Sequence, residues 1–272
     1  LHPSITAATV AGPADIVILA VPAQSSRAVL AALDPALLAG RPVVLSAKGL
    51  ETGTLQRQSE VLLDMAPDAI PFVLSGPSFA MDVAAGRPTA VTLAGDDANE
   101  TSALATALAG PGFRPYAADD RIGVEIAGAL KNVYALACGA VDGAGLGASA
   151  RSALIARAYA EMARMVSAMG GSATTLTGLA GLGDLTLTCT SVQSRNYQFG
   201  MALVRGQTVE AIMAGGAKLA EGVATTPVAD ALARSLDVEA PLIQAVHAVL
   251  SGSADIATIV AGLMSRPLKR ED

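Results

Sequence analysis

Pro42-Val43-Val44-Leu45-Ser46-Ala47-Lys48-Gly49-Leu50 is the stretch whose reading decides the fold. It opens as a short apolar run with two β-branched residues and then breaks at small and glycine residues. That length and composition predict a strand buried on both faces, as in a parallel sheet. The pattern recurs at Ile16–Val21, Pro71–Ser75 and Ala90–Ala94, with a fifth candidate at Phe113–Tyr116. Helix-like stretches near 25–38, 54–66, 78–86 and 97–109 separate these runs. Strand and helix in alternation predict an α/β domain with a mostly parallel, doubly wound sheet over residues 1–120.

Beyond Ala118–Gly123 the pattern changes. Segments near 121–142, 151–169, 196–205, 208–214, 224–236, 240–251 and 254–264 are rich in Ala and Leu. Their charges fall three or four apart, as at Arg157, Glu161 and Arg164, which is helical spacing. An all-helical domain over 121–272 is expected.

Composition narrows the function. With 272 residues, 52% of them hydrophobic and 15% charged, the chain can bury the cores of two ordinary domains. A net charge of −6 argues against a nucleic-acid binder, whose affinity rests on neutralising phosphates, but leaves room for a local cationic pocket. No uninterrupted apolar run reaches about 18 residues, so no membrane span is expected. The opening Leu1-His2-Pro3-Ser4 lacks the pattern of a secretory signal. Cys138 and Cys189 form no CxxC pair, which suits a reduced, cytoplasmic setting. The two histidines, His2 and His247, are too few for a multi-histidine metal site, and no metal is expected.

A doubly wound domain that binds a dinucleotide begins with a strand, GxGxxG and a helix. No such turn follows a strand here. Gly143–Gly147 and Gly178–Gly183 are glycine-rich but lie in the helical half, where they read as joints between helices. The first apolar run falls where a fourth strand of such a sheet would, so an N-terminal portion is expected to be missing from this sequence.

Lysine is the sharpest clue. Of four in the chain, Lys48 and Lys131 sit in apolar surroundings, Leu45–Leu50 and Gly128–Val133. Each reads either as a solvated side chain or as a group in a ligand site, and Lys48 directly follows a strand, where open α/β sheets bind ligands. A desolvated lysine has a lowered pKa, suited to proton transfer. Ser75-Gly76-Pro77-Ser78-Phe79-Ala80 follows another strand; Ser78 is a candidate cap for the next helix or a ligand contact. Asp184 after a glycine-rich turn reads as a helix N-cap or as a site carboxylate. Ser194-Arg195-Asn196 opens a helix, where arginine and the helix terminus together suit an oxyanion. Cys189, with no histidine near it in sequence, reads as packing.

Together these stretches resemble bacterial-type NAD(P)-dependent glycerol-3-phosphate dehydrogenases. Ala47–Glu51, Ser75–Ala80, Gly128–Val133, Gly181–Leu185 and Gln193–Asn196 match in order, and Glu221-Gly222 fits a further segment. The resemblance implies a Rossmann-like domain followed by a helical substrate domain. It also implies hydride transfer between NAD or NADP and dihydroxyacetone phosphate, giving sn-glycerol 3-phosphate for glycerophospholipid synthesis. By that resemblance Lys131 is the general acid and base, and Lys48 orients the carbonyl beside the cofactor. Asp184 and Thr188 hold the lysines and substrate hydroxyls. Gly76 and Ser78 line the substrate side, and Ser194, Arg195 and Asn196 grip the phosphate. Ala80, Leu219, Glu221 and Arg195 contact the cofactor. A homodimer is expected. Two other readings remain at this point: a dehydrogenase of the same architecture acting on a β-hydroxyacid, and a non-catalytic binding remnant.

Overall fold

A computed structural model describes residues 15–215 and 220–265, with 267 and 270. Five strands form one sheet in sequential order: β1 (Val17–Leu19), β2 (Pro42–Leu45), β3 (Ile70–Ser75), β4 (Thr89–Ala94) and β5 (Phe113–Ala118). β1, β2 and β3 run parallel, with Val17 opposite Val43 and Val44 opposite Phe72. β4 turns back antiparallel to β3, and β5 runs parallel to β4. The sheet is therefore mixed, and Rossmann-like. Its central strands bury nearly every residue, which explains their unbroken apolar runs.

The intervening helices are α1 (Ser26–Ala31), α2 (Gln58–Met65), α3 (Ala80–Ala84) and α4 (Ala98–Leu108). Asp97 caps α4 by accepting from the Asn99 and Glu100 amides, a contact that stabilises by about 1 kcal/mol. The expected helix at 25–38 is shorter, because it ends at Ala31 and a single 3₁₀ turn, Pro35–Leu37, follows.

From Arg121 on, no strand occurs among the described residues. The elements are α5 (Arg121–Gly143), α6 (Gly147–Ala168), α7 (Asp184–Thr190), α8 (Arg195–Val204), α9 (Val209–Ala214), α10 (Glu221–Ser235), α11 (Pro241–Leu250) and α12 (Ile256–Met264). α5 is the axis of this half. Asp120 caps it through the Gly123 amide at 2.8 Å, and it is buried along most of its length. It alone among the described helices is long and apolar enough to cross a bilayer, but 83% of that stretch lies inside the protein. Tyr134, Leu130, Met162, Met165 and Phe199 fill the core around it. α8 crosses α5 at backbone contact: a Cβ on Gly139 would lie 3.0 Å from Tyr197 Cα, and one on Gly200 2.9 Å from the Ala140 nitrogen. Side chains at those points would force the helices apart.

Arg157, Glu161 and Arg164 lie on one helix, α6, as their spacing implies, and Glu161 has a further role. It is buried and accepts the Leu242 and Ile243 amides at 2.9 and 3.0 Å, capping α11. The 178–183 segment is more than a joint: Leu179–Gly183 forms a π-helical turn running directly into α7, and its Ala180 inserts into the core of the sheet domain.

Candidate active site

The carboxyl ends of β1, β2 and β3 lie on one edge of the sheet because the three strands are parallel. Against that edge sits the middle of α5. Between them runs a cleft of about 450 Å³. Ala20-Val21-Pro22 after β1 and Ser46-Ala47-Lys48 after β2 form one wall. Ser78, Phe79 and Ala80 form a second, and Lys131, Thr188, Ser194–Asn196 and Glu221 close it from the helical side.

Beneath the cleft one carboxylate holds two ammonium groups. Asp184 Oδ2 lies 2.8 Å from Lys48 Nζ, and Asp184 Oδ1 is in contact with Lys131 Nζ. Lys48 also donates to the Gly76 carbonyl at 3.1 Å, and the Thr188 hydroxyl donates to Asp184 Oδ1 at 3.2 Å. Asp184 is 1% exposed and Lys131 6%. Burial, followed by the charge of Lys48, lowers the Lys131 pKa to about 7 against the opposing pull of Asp184. Burial would raise the Asp184 carboxyl, but Lys131 first and Lys48 second outweigh it and hold it below its ordinary value. The centre is thus a fixed anion between two cations, one of which titrates near neutrality.

The backbone makes this array possible. Gly76 has φ +145°, and a Cβ there would come within 2.9 Å of Val91 Cα, so only glycine turns the chain tightly enough to aim its carbonyl at Lys48. Ser78 does not cap the next helix. Its hydroxyl donates back to the Gly76 carbonyl at 3.0 Å, and Phe79 is the residue preceding α3. Asp184 likewise is not an N-cap: it is the first residue of α7, with its side chain turned to the lysines.

Ser194 is the N-cap of α8, accepting the Tyr197 amide at 3.3 Å, which leaves its hydroxyl proton for a ligand. Arg195 and Asn196 begin the helix and line the cleft. Asn196 belongs to a relay of amides. Its Nδ2 donates to Asn132 Oδ1 at 2.8 Å, Asn132 Nδ2 donates to the Lys48 carbonyl at 2.9 Å, and the Gly222 amide donates to Asn196 Oδ1 at 3.0 Å. Asn132 was not among the residues singled out in the sequence. Its signal was there, a carboxamide beside Lys131 on a helix of small apolar residues. Glu221 opens α10, accepts the Ala23 amide at 3.1 Å, and has its carboxyl pKa raised chiefly by burial. Leu219 lies outside the described residues.

The structure therefore brings Lys48, Gly76, Ser78, Ala80, Lys131, Asp184, Thr188, Ser194, Arg195, Asn196 and Glu221 to one cleft and its floor. Small apolar residues at the ends of parallel strands beside two cations fit the flat nicotinamide end of a dinucleotide and an anionic substrate next to it.

Family models agree with this geometry. Residues 1–101 match the N-terminal and residues 120–261 the C-terminal model of NAD-dependent glycerol-3-phosphate dehydrogenase. The chain is 50% identical over 260 residues to glycerol-3-phosphate dehydrogenase (NAD(P)+) of Hyphomonas neptunium, covering 96% of this chain and 77% of that one. It is 50% identical over 257 residues to the protein of the same name from Caulobacter vibrioides, covering 94% and 78%. The crystal structure of glycerol-3-phosphate dehydrogenase from Coxiella burnetii superposes with a TM-score of 0.87 at 40% identity, over 93% of this chain and 77% of that one. The chain belongs to the NAD-dependent glycerol-3-phosphate dehydrogenase family.

Proposed function

We propose that this cleft interconverts dihydroxyacetone phosphate and sn-glycerol 3-phosphate, with each of the sequence-derived site residues that the structure describes in the role given below. The observation that carries the reading is the Lys131–Asp184–Lys48 array lying beside Arg195 at the start of α8. Bound NAD(P)H supplies the hydride for reduction, and NAD(P)+ accepts it in the reverse direction.

Lys131, poised near neutrality, gives its proton to the C2 oxygen in reduction and takes it back in oxidation. Lys48 polarises the same carbonyl, held in place by Asp184 and the Gly76 carbonyl. Asp184 keeps both amines aimed, Thr188 fixes the carboxylate, and Asn132 fixes the Lys48 backbone. Gly76 and Ser78 border the substrate. Arg195, the Ser194 hydroxyl and Asn196 hold the phosphate at the first turn of α8, where backbone amides also point outward. Ala80, Glu221 and Arg195 face the cofactor side. The chemistry favours this substrate over a β-hydroxyacid, whose planar monoanionic carboxylate would use less of the guanidinium and helix-start donors at the Ser194–Asn196 corner than a dianionic phosphate. Membership of the family supports a cytoplasmic homodimer feeding glycerophospholipid synthesis, with the domain division at residues 120 and 121.

The test compares kcat/KM for dihydroxyacetone phosphate and for dihydroxyacetone in the native protein and in Arg195→Ala. Charge-assisted hydrogen bonds contribute about 1.5–3 kcal/mol, so KM for the phosphorylated ketone should rise roughly tenfold or more. The unphosphorylated ketone should be affected far less. Equal losses for both would overturn the assignment of the phosphate to this corner.

A further inference from the structure

We propose that Gln193 is a further specificity-determining residue, its side-chain amide donating to the substrate phosphate from the turn ahead of α8; this rests on the phosphate reading of that corner. Gln193 lines the same cleft as Ser194, Arg195 and Asn196 and stands one residue before the N-cap. Its backbone is fixed. The Gln193 amide donates to Ser191 Oγ at 3.1 Å, the Ser194 amide donates to the Ser191 carbonyl at 3.0 Å, and Gln198 Nε2 donates to the Val192 carbonyl at 2.6 Å. Three hydrogen bonds thus hold a turn of four residues. The Gln193 carboxamide itself has no partner among the described residues and is exposed in the cleft.

A rigid turn that places a neutral two-proton donor in the cleft lined by the start of α8 suits a tetrahedral dianion. Arg195 engages the phosphate through charge, and the first amides of α8 through their orphan protons. An amide on the same cleft wall, from the turn before the N-cap, adds a donor without adding a further positive charge, so it improves the fit to phosphate without strengthening the attraction of arbitrary anions. The structural requirement on Gln193 is slight, since the turn is closed by its backbone and by Gln198. Gln193→Ala and the isosteric Gln193→Glu therefore both leave the turn intact.

The experiment measures KM and kcat for dihydroxyacetone phosphate and dihydroxyacetone, and KM for NAD(P)H, in the native protein, Gln193→Ala, Gln193→Glu and Arg195→Ala. Calorimetric binding of inorganic phosphate is read alongside. Loss of one hydrogen bond to a charged oxygen should raise KM for the phosphorylated ketone about tenfold in Gln193→Ala. A carboxylate about 4 Å from a dianion in water adds repulsion worth about thirtyfold in Gln193→Glu. Neither variant should move KM for dihydroxyacetone or for the cofactor, and phosphate affinity should fall in the same order. If the Gln193 variants change both ketones alike, or neither, while Arg195→Ala still separates them, the role of Gln193 is overturned and the phosphate reading stands. If Arg195→Ala does not separate the ketones either, the phosphate reading itself falls, and the role of Gln193 falls with it.

Discussion

Replacing Asp184 by Asn tests the centre at its most informative point. The carboxylate lies 2.8 Å from Lys48 Nζ and in contact with Lys131 Nζ. At an effective dielectric of about 20, a unit pair at that distance interacts by roughly 6 kcal/mol. If relaxation and water entry leave about half, the loss to Lys131 is on the order of 3 kcal/mol, or two pKa units. The direction is fixed by what remains. Lys131 stays buried and Lys48 stays charged, so both surviving influences disfavour its protonated form. The assay is the pH dependence of kcat/KM in both directions. In the native protein, ketone reduction should fall as pH rises through about 7, because the acid is lost, while alcohol oxidation rises over the same range. In Asp184→Asn the break should move below about pH 5. Reduction at pH 7 then drops about a hundredfold, and oxidation, which needs the neutral amine, suffers less. A break that stays near pH 7 would refute the reasoning, since the titrating group would then be insensitive to the carboxylate it touches.

Further outcomes follow from the same geometry. Lys131→Ala should lower kcat by about 10²–10⁴-fold with cofactor binding retained by fluorescence titration, and near-native turnover would remove it as the acid. Gly76→Ala combines a left-handed backbone angle with a Cβ 2.9 Å from Val91 Cα, so it should lower stability by about 2 kcal/mol by denaturant midpoint and raise substrate KM. Glu125, in α5, accepts the Ser59 amide and hydroxyl at 2.8 and 2.7 Å with Arg57 nearby; Glu125→Ala should cost about 2–4 kcal/mol in thermal or urea unfolding by leaving those donors buried and unpaired.

The strands were legible because full burial imposes one pattern on any sequence: β2 and β3 match the apolar runs to within a residue. The reversal of β4 was not legible, since a strand buried on both faces reads the same in either direction. α7 escaped notice because its helix begins inside a glycine-rich turn and its first residue, Asp184, was indistinguishable from a cap. The lysines were visible as charges in apolar company. That Asp184, 136 and 53 residues away in sequence, holds them came only from the family resemblance, since no local pattern encodes a contact made by Lys48 across the two domains and by Lys131 between two helices. Asn132 was visible as a polar residue beside Lys131, but its role was not, because its partners come from the loop after β2 and from α8.

The glycine-lined crossing of α5 and α8 has a consequence for what the enzyme can accept. Lys131 rides on one helix and Arg195 on the other, and the two backbones meet directly at Gly139 and Gly200. No flexible side chain lies between them at that point to take up slack. With Lys131 as the proposed proton donor and Arg195 as the proposed phosphate grip, that crossing sets their separation like the jaws of a caliper. A substrate homologue one methylene longer would displace its carbonyl by about 1 Å or more, an error that costs on the order of a hundredfold in rate. Chain-length discrimination would then reside in the helix crossing as well as in the residues that touch the substrate. Enlarging Gly139 or Gly200 would be the way to reset it.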